Sequence, residues 1–248
     1  MILKKLAILT VVLLVSLCIF SCGIEENYFL PEVPEVNVIR DLNTGAKINV
    51  PGISSEYYYA NSYAIFYRIY VSNYATGSST DINPISNVLS NDYSYFENIS
   101  SITNTTTVMS LSHFKTMNYY ELEFEEIEKG SILPKIGGSL YIDFSSILGR
   151  EPTISLNDGQ KYKLQRSGEL NFSKPSLEDN PYFQNTEELL SYEYANSNIN
   201  ADVSGQNTNP QYAYVSMYIV AVGTHPTNFT PIVSKPTHIN VFRLPDAN

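Results

Sequence analysis

The chain has 248 residues, with 15 basic against 25 acidic side chains and a formal net charge of −10. It carries 20 Tyr and 11 Phe, no Trp and two Cys. That mix is too aromatic for a disordered chain and too poor in cysteine for a disulfide scaffold. The acidic balance argues against nucleic acid as a partner, since phosphate binding needs clustered Lys and Arg.

Lys4 and Lys5 precede an uncharged, largely apolar run from Leu6 to Phe20. The run is shorter than the ~20 residues of a spanning helix and has the form of a signal-peptide core. It ends in Ile19-Phe20-Ser21-Cys22, with an aliphatic residue three before the cysteine and a small one just before it. This resembles the relaxed form of a bacterial lipobox. The resemblance implies that residues 1–21 are a signal peptide and that Cys22 takes a diacylglycerol. Cys22 then becomes the first mature residue, and its new amine is acylated; radiolabelled palmitate would report the modification. Cys18 is the rival, but Leu17 before it is too large for the cleavage position. Gly23, where aspartate is associated with inner-membrane retention in some bacteria, favours the outer membrane. Loss of Lys4 and Lys5 leaves 13 basic against 25 acidic side chains. Anionic headgroups would repel such a body, so the acyl chains must hold it. At roughly 0.8 kcal/mol per buried methylene, several chains are ample. Cys22 is then the last cysteine, and no intramolecular disulfide can form.

Residues 22–31 read as a lipidated tether, and 32–248 as the folded body. Period-2 alternation with β-branched and aromatic residues dominates it. PEVPEVNVI (31–39) reads as a Pro-edged strand, and KINV (47–50) as a second, closed by Pro51-Gly52. SYAIFYRIYVS (62–72) is the strongest strand. It places Tyr63, Ile65, Tyr67, Ile69 and Val71 on one face, and Ala64, Phe66, Arg68 and Tyr70 on the other. Pro84–Phe96 predicts a helix, with Asn83 as cap and Pro84 in its first turn. Residues 100–107 read as a polar linker. YYELEF (119–124) and LYIDF (140–144) read as strands, and TISLNDGQKYKL (153–164) as a hairpin turning at Asn157-Asp158-Gly159. Residues 185–192 predict a short helix with Glu187 and Glu188 in its first turn. YAYVSMYIVAVG (212–223) directs Val215, Met217, Ile219 and Ala221 inward. The last strand lies in SKPTHINVFRLP (234–245), with Ile239 and Val241 on one face.

The order of the 31–39, 47–50, 62–72, 212–223 and 234–245 segments resembles strands A, B, C, F and G of a fibronectin type III domain. The fold class expected from this is all-β: an immunoglobulin-like (fibronectin type III-like) β-sandwich. It would carry a long β-rich insertion at about 73–211 and one or two short helices. The insertion is either part of one elaborated sandwich or a separate subdomain.

Catalytic chemistry is weakly signalled. His113, His225 and His238 lack the short ligand spacings of zinc sites, and no metal or cofactor is expected. Gly137-Gly138-Ser139-Leu140-Tyr141 lacks the final glycine of a nucleophile elbow and reads as the opening of a strand. Glu121, Glu123, Glu125, Glu126 and Glu128 form the densest acidic cluster, and alternate glutamates on a strand read as a solvated face. Glu178-Asp179-Asn180 lacks the spaced ligands of a calcium loop. Tyr57, Tyr58 and Tyr59 cannot all face a core, because successive strand residues alternate faces. The expected protein is therefore a non-enzymatic, lipid-anchored binding module of the cell envelope. An accessory subunit of an envelope assembly is the second class, and a glycan-active enzyme the third. The bilayer is its partner through Cys22, with a protein or glycan partner at the insertion. The tether, Gly23–Pro31, reaches about 30 Å at most. Tyr28, Phe29 and Tyr57–Tyr59 are thus candidate membrane-proximal aromatics, with the insertion projecting away.

Overall fold

The computed structural model describes residues 37–41, 45–50, 60–72, 84–101, 110–124, 138–144, 152–155, 161–167, 183, 202–204, 211–224, 229 and 231–244. The leader, Cys22, Tyr28, Phe29, Tyr57–Tyr59, the turn at 157–159 and the expected helix at 185–192 lie outside the described residues.

Two sheets form. Sheet one runs β1 (Asn37–Asp41), β2 (Gly45–Val50), β6 (Gly138–Asp143), β7 (Thr153–Ser155), β8 (Lys161–Gln165) and β5 (Glu123–Phe124), in that spatial order. Sheet two is built on β3 (Ala60–Ser72) and β10 (Tyr212–Thr224), paired antiparallel from Ala60↔Gly223 to Ser72↔Tyr212. The other edge of β10 takes β11 (Pro231–Val233) and β12 (Thr237–Arg243). The other edge of β3 takes β4 (Tyr120–Glu121), antiparallel, and β9 (Val203–Ser204), parallel. Most of the described residues lie in strands of two largely antiparallel sheets, compatible with a β-sandwich.

Strict alternation explains sheet one. Ala46, Ile48, Leu140, Ile142, Ile154 and Leu164 are fully buried, while Lys47, Tyr141 and Lys161 between them are exposed. The buried set meets Ile65, Tyr67, Ile69, Val215, Met217, Ile219 and Phe242 of sheet two in one core. Each fully buried Ile or Leu contributes about 2 kcal/mol. Phe144 stacks on Phe242 with ring centres 4.7 Å apart, and Phe183 meets Tyr67 edge-on at 5.0 Å.

Sheet two is covered on its outer face as well. There Ala64, Phe66, Tyr218 and Val220 pack under α1 (Pro84–Ser101) and α2 (Leu111–Thr116) through Phe96 and Phe114. Phe66 and Phe114 stack at 4.0 Å. This second burial explains why β10 is buried continuously from Ala213 to Ala221, the pattern of a strand covered on both faces.

The strand segments β4 to β9 all arise between β3 and β10, and they join the same two sheets. Four differences from the sequence reading have local causes. The helix begins at Pro84 as expected but continues past Phe96 to Ser101, because neither Gly nor Pro interrupts Glu97–Ser101. It is therefore not short. The 119–124 segment is two strands: β4 pairs with sheet two, β5 with sheet one, and buried Leu122 bridges them, its N–H bonded to the Ile65 carbonyl at 2.8 Å. Ile239 and Val241 do not share a face. The β10–β12 register shifts between Met217 and Tyr218, a bulge that leaves Ile239 in the main core while Val241 packs beside Tyr70 and Tyr214. His238, which alternation opposite Ile239 would turn to solvent, is instead half-buried 4.9 Å from the Tyr218 ring, because that face of sheet two is covered too. Among the described residues no helix is long and apolar enough to cross a membrane.

Candidate functional site

Two buried clusters, each built on an Arg–Asp pair, lie on opposite faces of β3. On the helix side, Arg68 interrupts the apolar face of the strand, and Asp92 interrupts the buried side of α1, one turn before Phe96. Asp92 is 1% exposed. Its carboxylate accepts hydrogen bonds from the Tyr70 hydroxyl, from the Tyr119 hydroxyl at 2.9 Å and from the Arg68 guanidinium at 3.3 Å. The Tyr119 oxygen also lies 3.1 Å from Ser216 Oγ, and Arg68 Nε donates to Ser204 Oγ at 2.9 Å. The guanidinium sits 4.7 Å over the Tyr70 ring, a cation–π contact.

Local sequence aims Tyr119 into this cluster. Asn118 closes α2 with φ 56°, a left-handed conformation that Asn tolerates better than most residues. Its N–H bonds the Lys115 carbonyl at 3.0 Å, and the Tyr119 N–H bonds the Phe114 carbonyl at 2.8 Å. This is the paired bonding of a Schellman closure, and Tyr119 meets Phe114 edge-on across it. At the other end of α2, the Ser110 N–H donates to His113 Nδ1 at 3.1 Å. His113 is thus a helix-capping residue.

Burial dominates the electrostatics. It pushes the Asp92 carboxyl above the usual carboxylate range, although the Tyr70 bond, the Arg68 charge and the Tyr119 bond all pull it down. Burial also drives the Tyr70, Tyr119 and Tyr218 phenols well above their ordinary value. Phenols held that high do not supply a phenolate near neutral pH. The arrangement clasps α1 to sheet two, and its donors and acceptors are directed at one another.

The inner cluster is tighter. Arg166, 3% exposed, grips Asp202, 0% exposed, with two parallel bonds: Nη2 to Oδ1 at 2.7 Å and Nε to Oδ2 at 2.9 Å. The Tyr67 hydroxyl donates to Asp202 Oδ2 at 2.7 Å and accepts from the Ser167 N–H at 2.9 Å. The Asp202 carbonyl takes the Ile69 N–H at 2.9 Å. β9 therefore sits on β3 through its backbone, while the side chains of Asp202 and Ser204 reach the two clusters.

An accessible polar surface lies on the outer face of sheet one. Ile39, Lys47, Tyr141, Ser155 and Lys161 stand in register across five neighbouring strands. Ile39 is 54% exposed and Tyr141 37%. Tyr141 leans onto Gly45: a Cβ there would lie 2.6 Å from the phenol oxygen. Lys47 and Lys161 stand three strand spacings apart, about 14 Å, with Tyr141 and Ser155 between them. In a chain of net charge −10, this row contains two lysines and no acid.

The sequence reading found neither Arg–Asp pair. A signal existed: Arg68 breaks the Ala64, Phe66, Tyr70 series, and a charge on an apolar stripe is costly unless paired. What no local pattern supplies is the partner, twenty-four residues away for Arg68 and thirty-six for Arg166. Glu121 and Glu123 are half-buried on two different sheets rather than on one solvated face. Gly138 and Ser139 open strand β6. Among the described residues no group of three or more His, Cys, Asp and Glu could hold a metal ion. Comparisons with protein-family models, curated proteins and solved structures gave no match.

Proposed function

We propose that this chain is a bacterial lipoprotein anchored through Cys22, whose immunoglobulin-like body performs a binding role at the cell envelope without catalysis. The observation that carries the proposal is the leader: Lys4-Lys5, the apolar run Leu6–Phe20, and Ile19-Phe20-Ser21-Cys22. Gly23 favours the outer membrane as the compartment. The strand pairings support a fibronectin type III-like body. β1 pairs with β2 and β2 with β6, as strands A, B and E of that family would; β3, β10 and β12 follow one another as C, F and G would. β4, the next strand after β3 in sequence, pairs with its outer edge as C′ would.

The binding role draws on the accessible polar face of sheet one, which contrasts with the enclosed charge clusters. The row from Lys47 to Lys161 offers an aromatic ring with hydrogen-bonding neighbours to a protein or glycan partner. Tyr141, Ser155 and Lys161 come from the 73–211 segment. Changing Cys22 to Ala tests the anchor directly. The expected outcome is loss of radiolabelled-palmitate incorporation and an unprocessed or soluble species. Unchanged labelling would overturn the assignment.

A further inference from the structure

We infer that Phe229 is a bilayer-seated side chain, inserted into the interface of the membrane that holds the acylated cysteine. The inference rests on the lipid-anchor reading given above. Phe229 is 76% exposed, the highest among the exposed large apolar residues described. Its φ is 59°, a left-handed conformation that a bulky side chain rarely adopts. Exposed apolar residues scattered singly are ordinary. A phenylalanine that is both exposed and held in an unfavourable backbone conformation is not, and such outliers point to function.

Strand register places this residue at one end of the body. Phe229 lies in the β10–β11 connection, two residues before Pro231, which pairs with Thr224. The neighbouring strand starts at the same end, since Ala60 pairs with Gly223. β3 begins there, nine residues (51–59) separating it from the end of β2 at Val50, and Asn37, the first residue of β1, pairs with Asn49 near the end of β2. The chain arriving from Cys22 therefore enters at the end that carries Phe229. From Cys22 to Asn37 it spans at most about 50 Å, which bounds how far that end can stand from the lipid. The body is acidic, so charge gives it no attraction to anionic headgroups. An uncharged aromatic ring at the acyl boundary is a contact that charge does not oppose.

The absence of Trp makes the test clean. Phe229→Trp places a single indole reporter in the full-length acylated protein, and Gln211→Trp places one at the opposite end. Gln211 is exposed there, its N–H bonded to the Ser72 carbonyl at 2.9 Å. Each variant is reconstituted in phosphatidylcholine vesicles, with and without bromine on the acyl chains, and flotation is scored on the same samples. The expected result is a blue-shifted emission from the Phe229→Trp protein that brominated lipid roughly halves, with the Gln211→Trp signal unchanged. Floating protein with no quenching of the Phe229→Trp reporter would overturn the inference while leaving the anchor intact. Equal quenching of both reporters would overturn it too. Protein that fails to float removes the anchor, and the inference falls with it.

Discussion

Sheet one and sheet two are built from similar strands but meet water differently. Sheet one buries Ile48, Leu140, Ile142 and Ile154 on one face and shows Lys47, Tyr141 and Lys161 on the other. Sheet two is buried on both faces, beneath sheet one on one side and beneath α1 and α2 on the other. The difference teaches where charge must be matched. On sheet one a lysine needs only solvent. On sheet two Arg68 has no such outlet, and the helix that covers it brings Asp92, Tyr70 and Tyr119 into one bonded group.

The sharpest way to break that comparison is to strip one partner from a buried pair. Arg166→Ala leaves the fully buried Asp202 carboxylate without its guanidinium. The expected cost is about 3–5 kcal/mol, read as a lower urea midpoint. A smaller effect distinguishes the helix-covered face. Burial holds the Asp92 carboxyl above its unfolded value, so the folded state binds this proton more tightly than the unfolded chain does. This contribution is complete below about pH 3.9, the unfolded value, and is lost as pH rises through the elevated one. Asp92→Asn cannot titrate. Denaturant titrations from about pH 4 to 8 should show a wild-type decline that the variant lacks; identical slopes would refute the assignment. The smallest effect belongs to the open face. Replacing Lys47 and Lys161 with Gln should change stability by no more than about 0.5 kcal/mol each, a result that calorimetry can check.

The sequence was most legible where one face of a strand is wet. Lys47 between Ala46 and Ile48, or Tyr141 between Leu140 and Ile142, marks its own strand. β3 and β10 were legible for a different reason: length and β-branched or aromatic content make their type plain, even where both faces are buried. Position was harder. Nothing near Glu121 or Glu123 says that one residue, Leu122, separates membership of two sheets. The bulge at Ile239 moves one side chain to the other face, and it shows only in the pairing of β12 with β10, a partner that no local pattern reveals. The Arg68–Asp92 and Arg166–Asp202 pairs were invisible for the same reason: each residue is explicable only by a partner that folding delivers.

The β3–β10 pairing also sets a clock. These strands form the middle of sheet two, yet the whole of residues 73–211 lies between Ser72 and its partner Tyr212. Bringing such distant ends together costs on the order of 4 kcal/mol in chain entropy before any contact repays it. Sheets joined this way assemble slowly. The broad apolar faces of β3 stay without their main partner until β10, which begins only at Tyr212 of 248 residues, is present. A chain cut short at residue 211 would therefore lose the organising pair of sheet two, however complete sheet one might be.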